Sequence, residues 1–490
     1  MTSPRAPSSI ARRTLASVSW NVIAQAIGVV VGFTRSVMLA RLLEVETFGV
    51  YAGALAVVQL ASVAGTFGLV GAFLHRAPET ADEGRAASVH LSLQLIAAVA
   101  WLGIMLTFAF VWTEGANRLA LLVISGATAL DMITGVQQSI LMRRVVHRRL
   151  ALLNTLSTLL VSVVAVGLAW IGVELWALLA TEILGALFLF GGVYLVRPAW
   201  RARLGWDRRI ARYFLRFGLP TMAATIVEAG LQKLDDIWVR TNLGALQMGY
   251  YSRAYTFATY PRSILAAPVT AVAGGTFAEL AGNRLQLSRA FFRTTALLVR
   301  AGFLFAGWLL VIAPEFVGIL LGSRWLPMVP IFRLLAVFAL LDPLRDLVGS
   351  LYLAVGQPQR LMRYRLLQLG VLVAGLFMLG THFGTVGVAI AVDAMLVLGI
   401  ALLLQGARGW VDFSWLRLFG APAAGVLAGV AGALGLVSLL PGDASLWLSA
   451  IVKSAVFLGL FCALLLALER AAITEMVRQV WGQMGRKRAP

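Results

Sequence analysis

The chain has 490 residues, of which 60% are hydrophobic and 13% are charged, about half the charged share of a soluble globular protein. Apolar runs of about 20 residues recur along it, the length that spans a bilayer core, and the short alternating segments of a transmembrane barrel do not occur. The formal net charge of +19 does not indicate nucleic acid, because the basic residues cluster in short segments between apolar runs, as the positive-inside rule expects.

The expected fold is therefore an all-α polytopic membrane protein with about fourteen spans. Residues 1–16 form an N-tail. Six spans follow at 17–39, 47–72, 88–112, 118–141, 151–172 and 175–196, making an N-lobe over 17–196. A basic inter-lobe loop covers 197–213. Spans at 214–240, 246–273, 290–313, 327–354, 364–381 and 384–405 make a C-lobe over 214–405. Two further spans, 417–440 and 446–468, lie within 406–468, and a basic tail covers 469–490. The segments RRVVHRRL, RPAWRARLGWDRRIAR, RLMRYR and GRKR fall on one side, with both termini. The alternate segments GVEL, LGALQ, THFG and PGDAS carry no Lys or Arg, so both termini are expected in the cytoplasm. No connecting segment is long enough for an extramembrane catalytic domain. The lone Cys462 excludes an internal disulfide. His75, His90, His147 and His382 have no ligand spacing, which argues against a metal. The first apolar run is long and many follow it, unlike a cleavable signal peptide.

An internal repeat organises these spans. RLLEVETFGVYAGALA (41–56) aligns with TNLGALQMGYYSRAYT (241–256), pairing Leu43 with Leu243, Gly49 with Gly249, Tyr51 with Tyr251 and Ala54 with Ala254. Further on, Asp131 falls on Asp342, Ser139 on Ser350, Arg149 on Arg360 and Glu182 on Asp393. Six spans per copy is an even number, so the copies share one orientation and are expected to be related by a pseudo-two-fold axis along the membrane normal. Two such lobes can rock about a cleft between them, which gives alternating access.

Charges inside the spans locate the expected cleft. Each costs about 2.5–3.5 kcal/mol at a helix centre, so it must be paired or face water. The stretch EAGLQKLDDIWVR (228–240) puts Lys233, Asp236 and Arg240 on one helical face and Glu228 with Asp235 on another. Arg35, Asp131, Glu182, Arg253, Arg262, Asp342, Arg345, Asp346 and Asp393 lie in other spans. Guanidinium groups beside carboxylates suit a phosphate-bearing substrate, because Arg binds phosphate oxygens bidentately. Blander roles compete. Arg35 can snorkel to an interface, and Asp236–Arg240 can be a structural pair. Lys453, near a span end, reads as structural or snorkelling. Tyr251 and Tyr255 in GYYSRAYTFATY can stack on sugar rings or simply mark an interface. GVVVG (28–32) and the series Gly425, Gly429, Gly432, Gly435 read as faces for close helix packing.

The order WNVIAQAIGVVVGFTRSVMLARLL, ETFGVYAGALA, LGALQMGYYSRAYTFATYP, LGSRWLPMVPIFRLLA and AVGQPQRLMRYRLLQ resembles bacterial polysaccharide transporters. These form the oligosaccharide-flippase branch of the multidrug/oligosaccharidyl-lipid/polysaccharide exporter superfamily. The resemblance covers residues 12–405, and more weakly the last two spans. It implies a central cavity and a polyprenyl-diphosphate-linked oligosaccharide moved to the outer leaflet. It implies that cavity cations, here Arg35, Lys233, Arg253, Arg262 and Arg345, hold the diphosphate. It also implies ion coupling through acids, and Asp235 and Asp236 occupy the acidic position of the seventh span. Asp131, Glu228, Asp342 and Asp393 are the other coupling or charge-pair candidates. Glu44 departs from the family's usual glycine.

The expected function is thus flippase activity at the bacterial inner membrane for exopolysaccharide, capsule or O-antigen synthesis. No catalytic residue and no metal is expected, and no cofactor beyond a coupling H⁺ or Na⁺. The expected partners are the lipid-linked glycan, membrane lipids and the polymerase or export machinery, with a monomeric chain and no nucleic acid. A multidrug exporter of the same superfamily is the alternative within transport, and a membrane glycan polymerase or transferase is the alternative outside it.

Overall fold

A computed structural model describes residues 27–76, 82–144, 146–261, 267–438, 441 and 445–486. The regular structure among them is helical, with no strand. Hydrocarbon offers no partner for backbone N–H and C=O groups, so each apolar run closes its hydrogen bonds within itself. Residues 27–42 form α1. It is followed by α2 (Val45–Thr66), α3 (Leu69–His75), α4 (Glu83–Trp112), α5 (Gly115–Arg143), α6 (His147–Trp170) and α7 (Glu174–Phe190). The last of these continues to Val196 in a wider π turn. Then come α8 (Arg208–Pro261), α9 (Ala267–Leu280), α10 (Arg284–Leu320), α11 (Val329–Ala354), α12 (Pro358–Gly375), α13 (Thr381–Ala407), α14 (Ala421–Val437) and α15 (Leu446–Arg486).

The protein is an all-α polytopic membrane protein. Ten helical segments among the described residues are long and apolar enough to cross a bilayer. One of them, Pro358–Ala407, breaks at Gly384 (φ 59°) and holds the expected eleventh and twelfth spans. Likewise α8 breaks at Gly244 (φ 88°) into two arms that match the seventh and eighth. A side chain is rarely tolerated at such positive φ, which is why glycine stands at both bends. Two helices were not anticipated. The second span ends at Thr66 rather than 72, because Phe67 (φ 47°) and Gly68 (φ 63°) turn the chain into α3. The eighth span was drawn to 273, but α9 is a separate helix that begins at Ala267.

Contacts divide the chain into two units. One comprises the chain up to Arg253 with Leu372–Val388, and the other Ala254–Val371 with Ala389 onward. In the first, α2, α4, α5 and α7 pack around Val58, Trp101, Ile124 and Leu179. A second cluster joins α3, α4, α5 and the start of α8 through Phe73, Ile140 and Phe214. Buried His90 is sandwiched between the rings of Phe73 and Phe214, at 5.5 Å from each, with no hydrogen bond from its nitrogens. It is a packing residue. In the second unit, α10, α14 and α15 share the cluster Val311, Ala433, Phe457 and Phe461. Gly425 and Gly429 lie flat against Phe461 and Phe457, where a methyl group would approach to 2.9 and 2.7 Å. Gly28 and Gly435 face open space. Outward faces carry exposed Val99, Ile104, Trp170 and Leu427, which in a membrane contact lipid.

Candidate functional site

In the first unit, α2 and the second arm of α8 cross with their backbones in contact. A methyl on Gly49 would overlap the Ala245 carbonyl, and one on Gly249 would overlap that of Val45. The glycines that align in the internal repeat are thus the two residues that permit the crossing. The tyrosines that align with each other both donate to carboxylates. Tyr51 donates to Glu182 on α7, and Tyr251 donates to buried Asp235 at 2.6 Å. Asp235 and Tyr251 lie on opposite sides of the Gly244 bend, which brings the two arms of α8 together.

The rest of the charged stretch divides by face. Lys233 Nζ stands 3.5 Å from Asp236. Arg240 does not bond Asp236, the partner that helical spacing offered; it donates to Asn117 on α5 at 2.6 Å. Its stem lies against Gly53, so α2 contributes a second glycine where a bulky neighbour needs room. Glu228 accepts from Gln232, one turn later, at 3.1 Å. Arg253 donates to Ser36 on α1 at 3.3 Å and lies over the Phe48 ring, 4.5 Å from its centroid, a cation–π geometry. Arg35, half-buried on α1, acts electrostatically on Tyr51 and makes no hydrogen bond or ion pair among the described residues. Asp131 lies within electrostatic reach of Glu182. Arg262 is outside the described residues.

The second unit holds its charges more tightly. Arg345 is buried against Asp342 at 3.0 Å and Asp346 at 3.7 Å, all on α11. Pro343 lies within the same turn and removes the N–H that would bond the carbonyl one turn back. Tyr255 packs on Phe338 at 4.8 Å between ring centroids. Asp393, half-buried on α13, has one carboxylate oxygen with no partner. Buried Gln368 on α12 has both side-chain atoms unpartnered.

Two ion pairs were not foreseen. Lys453 does not snorkel. It is buried on α15 and donates to Glu315 of α10 at 2.5 Å, and Ser449 donates to the same oxygen at 2.8 Å. About four turns away along the same two helices, Arg300 grips Glu469 through two hydrogen bonds of 2.6 and 2.7 Å. Opposite charges in two apolar runs were the available signal, but Glu315 lay two residues beyond the drawn end of its span.

The structure brings the predicted residues together in two places. Tyr251, Asp235, Asp236, Lys233, Arg253 and Arg35 lie within one unit on α1 and α8. Arg345 and Asp342 form a closed pair in the other unit. Tyr251 is fully buried, so its ring offers no face for a sugar in this conformation. Among the described residues no cluster of three or more His, Cys, Asp or Glu could hold a metal.

Long apolar helices that enclose ionised side chains define a polytopic membrane protein with a charged interior. A family model described as "Polysaccharide biosynthesis protein" matches residues 38–330, and the chain belongs to that family. It is 29% identical over 462 residues to the succinoglycan biosynthesis transport protein ExoT of Rhizobium meliloti (strain 1021), covering 91% of this chain and 87% of the relative. It is 24% identical over 399 residues to the lipopolysaccharide biosynthesis protein WzxC of Escherichia coli (strain K12), covering 78% of each. Among solved structures it is similar to a lipid II flippase MurJ in an inward closed conformation. That match has a TM-score of 0.76 and 13% identity, and covers 92% of this chain and 99% of the other. An inward-facing multidrug resistance transporter of the MATE family in the MOP superfamily matches with a TM-score of 0.56 and 18% identity, covering 80% and 94%. At such identities these structures speak for the fold.

Proposed function

We propose that this chain is a flippase that moves a polyprenyl-diphosphate-linked oligosaccharide across the bacterial inner membrane by alternating access. It performs no covalent chemistry. The family, the relatives named for succinoglycan transport and lipopolysaccharide biosynthesis, and a fold shared with a lipid II flippase support this reading. The single structural observation that carries it is Arg35, a half-buried guanidinium in an apolar helix with no ion-pair partner among the described residues. A diphosphate supplies the missing anion through bidentate hydrogen bonds.

In this reading Arg35, Lys233, Arg253 and Arg262 hold the diphosphate in one conformation, and Arg345 joins them when its pair with Asp342 opens. A ligand shifts a conformational equilibrium only by its differential affinity for the two states, so these cations must be arranged differently in each. Asp235 and Asp236, with Asp131, Glu228, Asp342 and Asp393 as further candidates, carry the coupling H⁺ or Na⁺. Two six-span lobes move against each other, both termini face the cytoplasm, and the working unit is a monomer that hands its glycan to polymerase or export machinery.

The test is reconstitution with a labelled polyprenyl-diphosphate oligosaccharide, scoring leaflet accessibility under imposed proton and sodium gradients. Transfer that requires the chain and responds to one gradient supports the proposal. Gradient-driven movement of a cationic drug, with no movement of the lipid-linked glycan, would instead select the multidrug reading. The shared fold permits that reading, while the cations on α1 and α8 oppose it.

A further inference from the structure

Each unit also carries a basic pocket at the arginine-rich ends of its helices. In the first unit the segment 197–207 folds back over the opening turns of α4 and encloses a cleft of about 760 Å³. Three hydrogen bonds fix that segment. Gln137 donates to the Trp200 carbonyl at 2.6 Å, Arg144 to that of Ala199 at 2.7 Å, and the Gly205 N–H to Ser92 Oγ at 3.1 Å. The one carboxylate in the lining, Asp207, is already engaged. It caps α8 by accepting from the N–H groups of Arg209 and Ile210 at 2.9 and 3.2 Å, and it faces Arg85 at 3.9 Å. Arg201 and Arg203 line the same cleft, are exposed, and have no hydrogen bond or ion pair among the described residues.

The second unit repeats the device. The chain leaving α13 folds over the opening turns of α10, around a cleft of about 490 Å³. Again a serine accepts a backbone N–H from the covering segment, Asp412 to Ser288 Oγ at 2.9 Å. The lining carboxylate is again taken, with Arg284 gripping Asp412 at 2.7 and 3.1 Å. Arg289, Arg293 and Arg417 line the cleft and have no hydrogen bond or ion pair among the described residues. Positive charge in excess, each acid already matched, and a volume many times the ~30 Å³ of a water together describe a basic cleft with room for a phosphate and the groups attached to it. Exposed Leu204 and Trp206 beside the first cleft, and Leu285 and Leu416 at the second, add an apolar flank that a free phosphate would not use.

We propose that each pocket binds the phosphate headgroup of an anionic membrane phospholipid from the arginine-rich leaflet, with the neighbouring apolar residues against its acyl chains. The guanidinium groups hold the phosphate bidentately, and the negative surface potential that anionic lipids give a leaflet attracts basic segments such as these. This proposal does not depend on the identity of the transported substrate.

The experiment is native mass spectrometry of the full chain released from nanodiscs that mix phosphatidylglycerol with phosphatidylcholine. The wild type should retain phosphatidylglycerol selectively. Arg201→Gln with Arg203→Gln should weaken retention at one pocket by on the order of thirty-fold, and Arg289→Gln with Arg293→Gln should do the same at the other. The quadruple variant should show the same weakening at both pockets at once. All four side chains are outside the core, and Arg209→Gln with Arg216→Gln, exposed on α8 outside both pockets, is the control. Equal loss in the control, or equal retention of phosphatidylcholine, would overturn the proposal in favour of a diffuse surface field. Displacement of phosphatidylglycerol by a polyprenyl diphosphate at equal concentration would overturn the assignment of the source. Should a variant aggregate, a wild-type measurement decides the matter. Short-chain phosphatidylglycerol must raise the unfolding midpoint and short-chain phosphatidylcholine must not, and equal shifts refute the proposal.

Discussion

Lys453→Met is expected to loosen α15 from α10. In the native chain Lys453 Nζ and Ser449 Oγ share one oxygen of Glu315, both members of the ion pair are buried, and the other Glu315 oxygen has no partner. Removing the ammonium leaves a buried carboxylate with a single neutral donor, a change that costs about 3–5 kcal/mol. At about 2.1 cal/mol/K of unfolding entropy per residue, the 490-residue chain has roughly 1 kcal/mol/K. The midpoint of thermal unfolding in nanodiscs should therefore fall by about 3–5 °C. Replacing both partners, Lys453→Met with Glu315→Gln, removes the stranded charge and should recover most of that loss, because a buried pair exchanged for well-packed neutral groups is close to neutral. The double-mutant cycle is then strongly non-additive. Additive single effects, or a Lys453→Met midpoint equal to wild type, would refute the argument that this contact holds the two helices together.

Gly49→Ala should destabilise the chain by about 1–3 kcal/mol, because the methyl group overlaps the Ala245 carbonyl and the helices must part. Gly126→Ala, which meets nothing within 4 Å, is the control in the same unfolding assay and should not be destabilising. Tyr251→Phe leaves Asp235 with neither oxygen bonded by a side chain and should cost about 1–3 kcal/mol in that assay; no loss would make the contact incidental. Arg345→Ala should reduce glycan export in cells while membrane insertion, read by fractionation, is retained; full export would make the α11 pair purely structural. Outside the spans, Arg284 holds the Asp412 carboxyl below its ordinary range through hydrogen bonds and charge. A lowered folded pKa stabilises the folded state above the unfolded value of about 3.9. The protection factors of amides in residues 408–415, corrected for the intrinsic exchange rate at each pH, should therefore be highest at neutral pH and fall as pH drops below about 4. Asp412→Asn should abolish that dependence.

The spans were legible because bilayer thickness and backbone saturation leave few alternatives for a run of about 20 apolar residues. The two aligned segments singled out residues that the structure uses, Gly49 and Gly249, where a close crossing tolerates no side chain, and Tyr51 and Tyr251, each of which donates to a carboxylate. Helical spacing said which charges of residues 228–240 share a face, but it could not say which neighbour faces them. Arg240 turned to Asn117, 123 positions away, rather than to Asp236 one turn earlier. For the same reason Lys453 read only as structural or snorkelling with no partner named, since its partner Glu315 is 138 positions distant. The bend at Phe67 was hidden because a non-glycine residue adopts positive φ there, which sequence patterns give no reason to expect. The two basic pockets were visible only as an arginine-rich loop and scattered charges, because the covering segments are fixed by hydrogen bonds to residues far away in the chain.

Arg35 is the most direct point of attack on the transport reading. Purified wild type and Arg35→Ala, each reconstituted in vesicles with a labelled polyprenyl-diphosphate oligosaccharide, should bind and translocate it to very different extents. At about 1.5–3 kcal/mol for a charge-assisted contact, loss of the guanidinium should weaken binding by roughly 10- to 150-fold and slow transfer, with the unfolding midpoint unchanged. Equal binding and equal transfer by the two proteins would contradict the account.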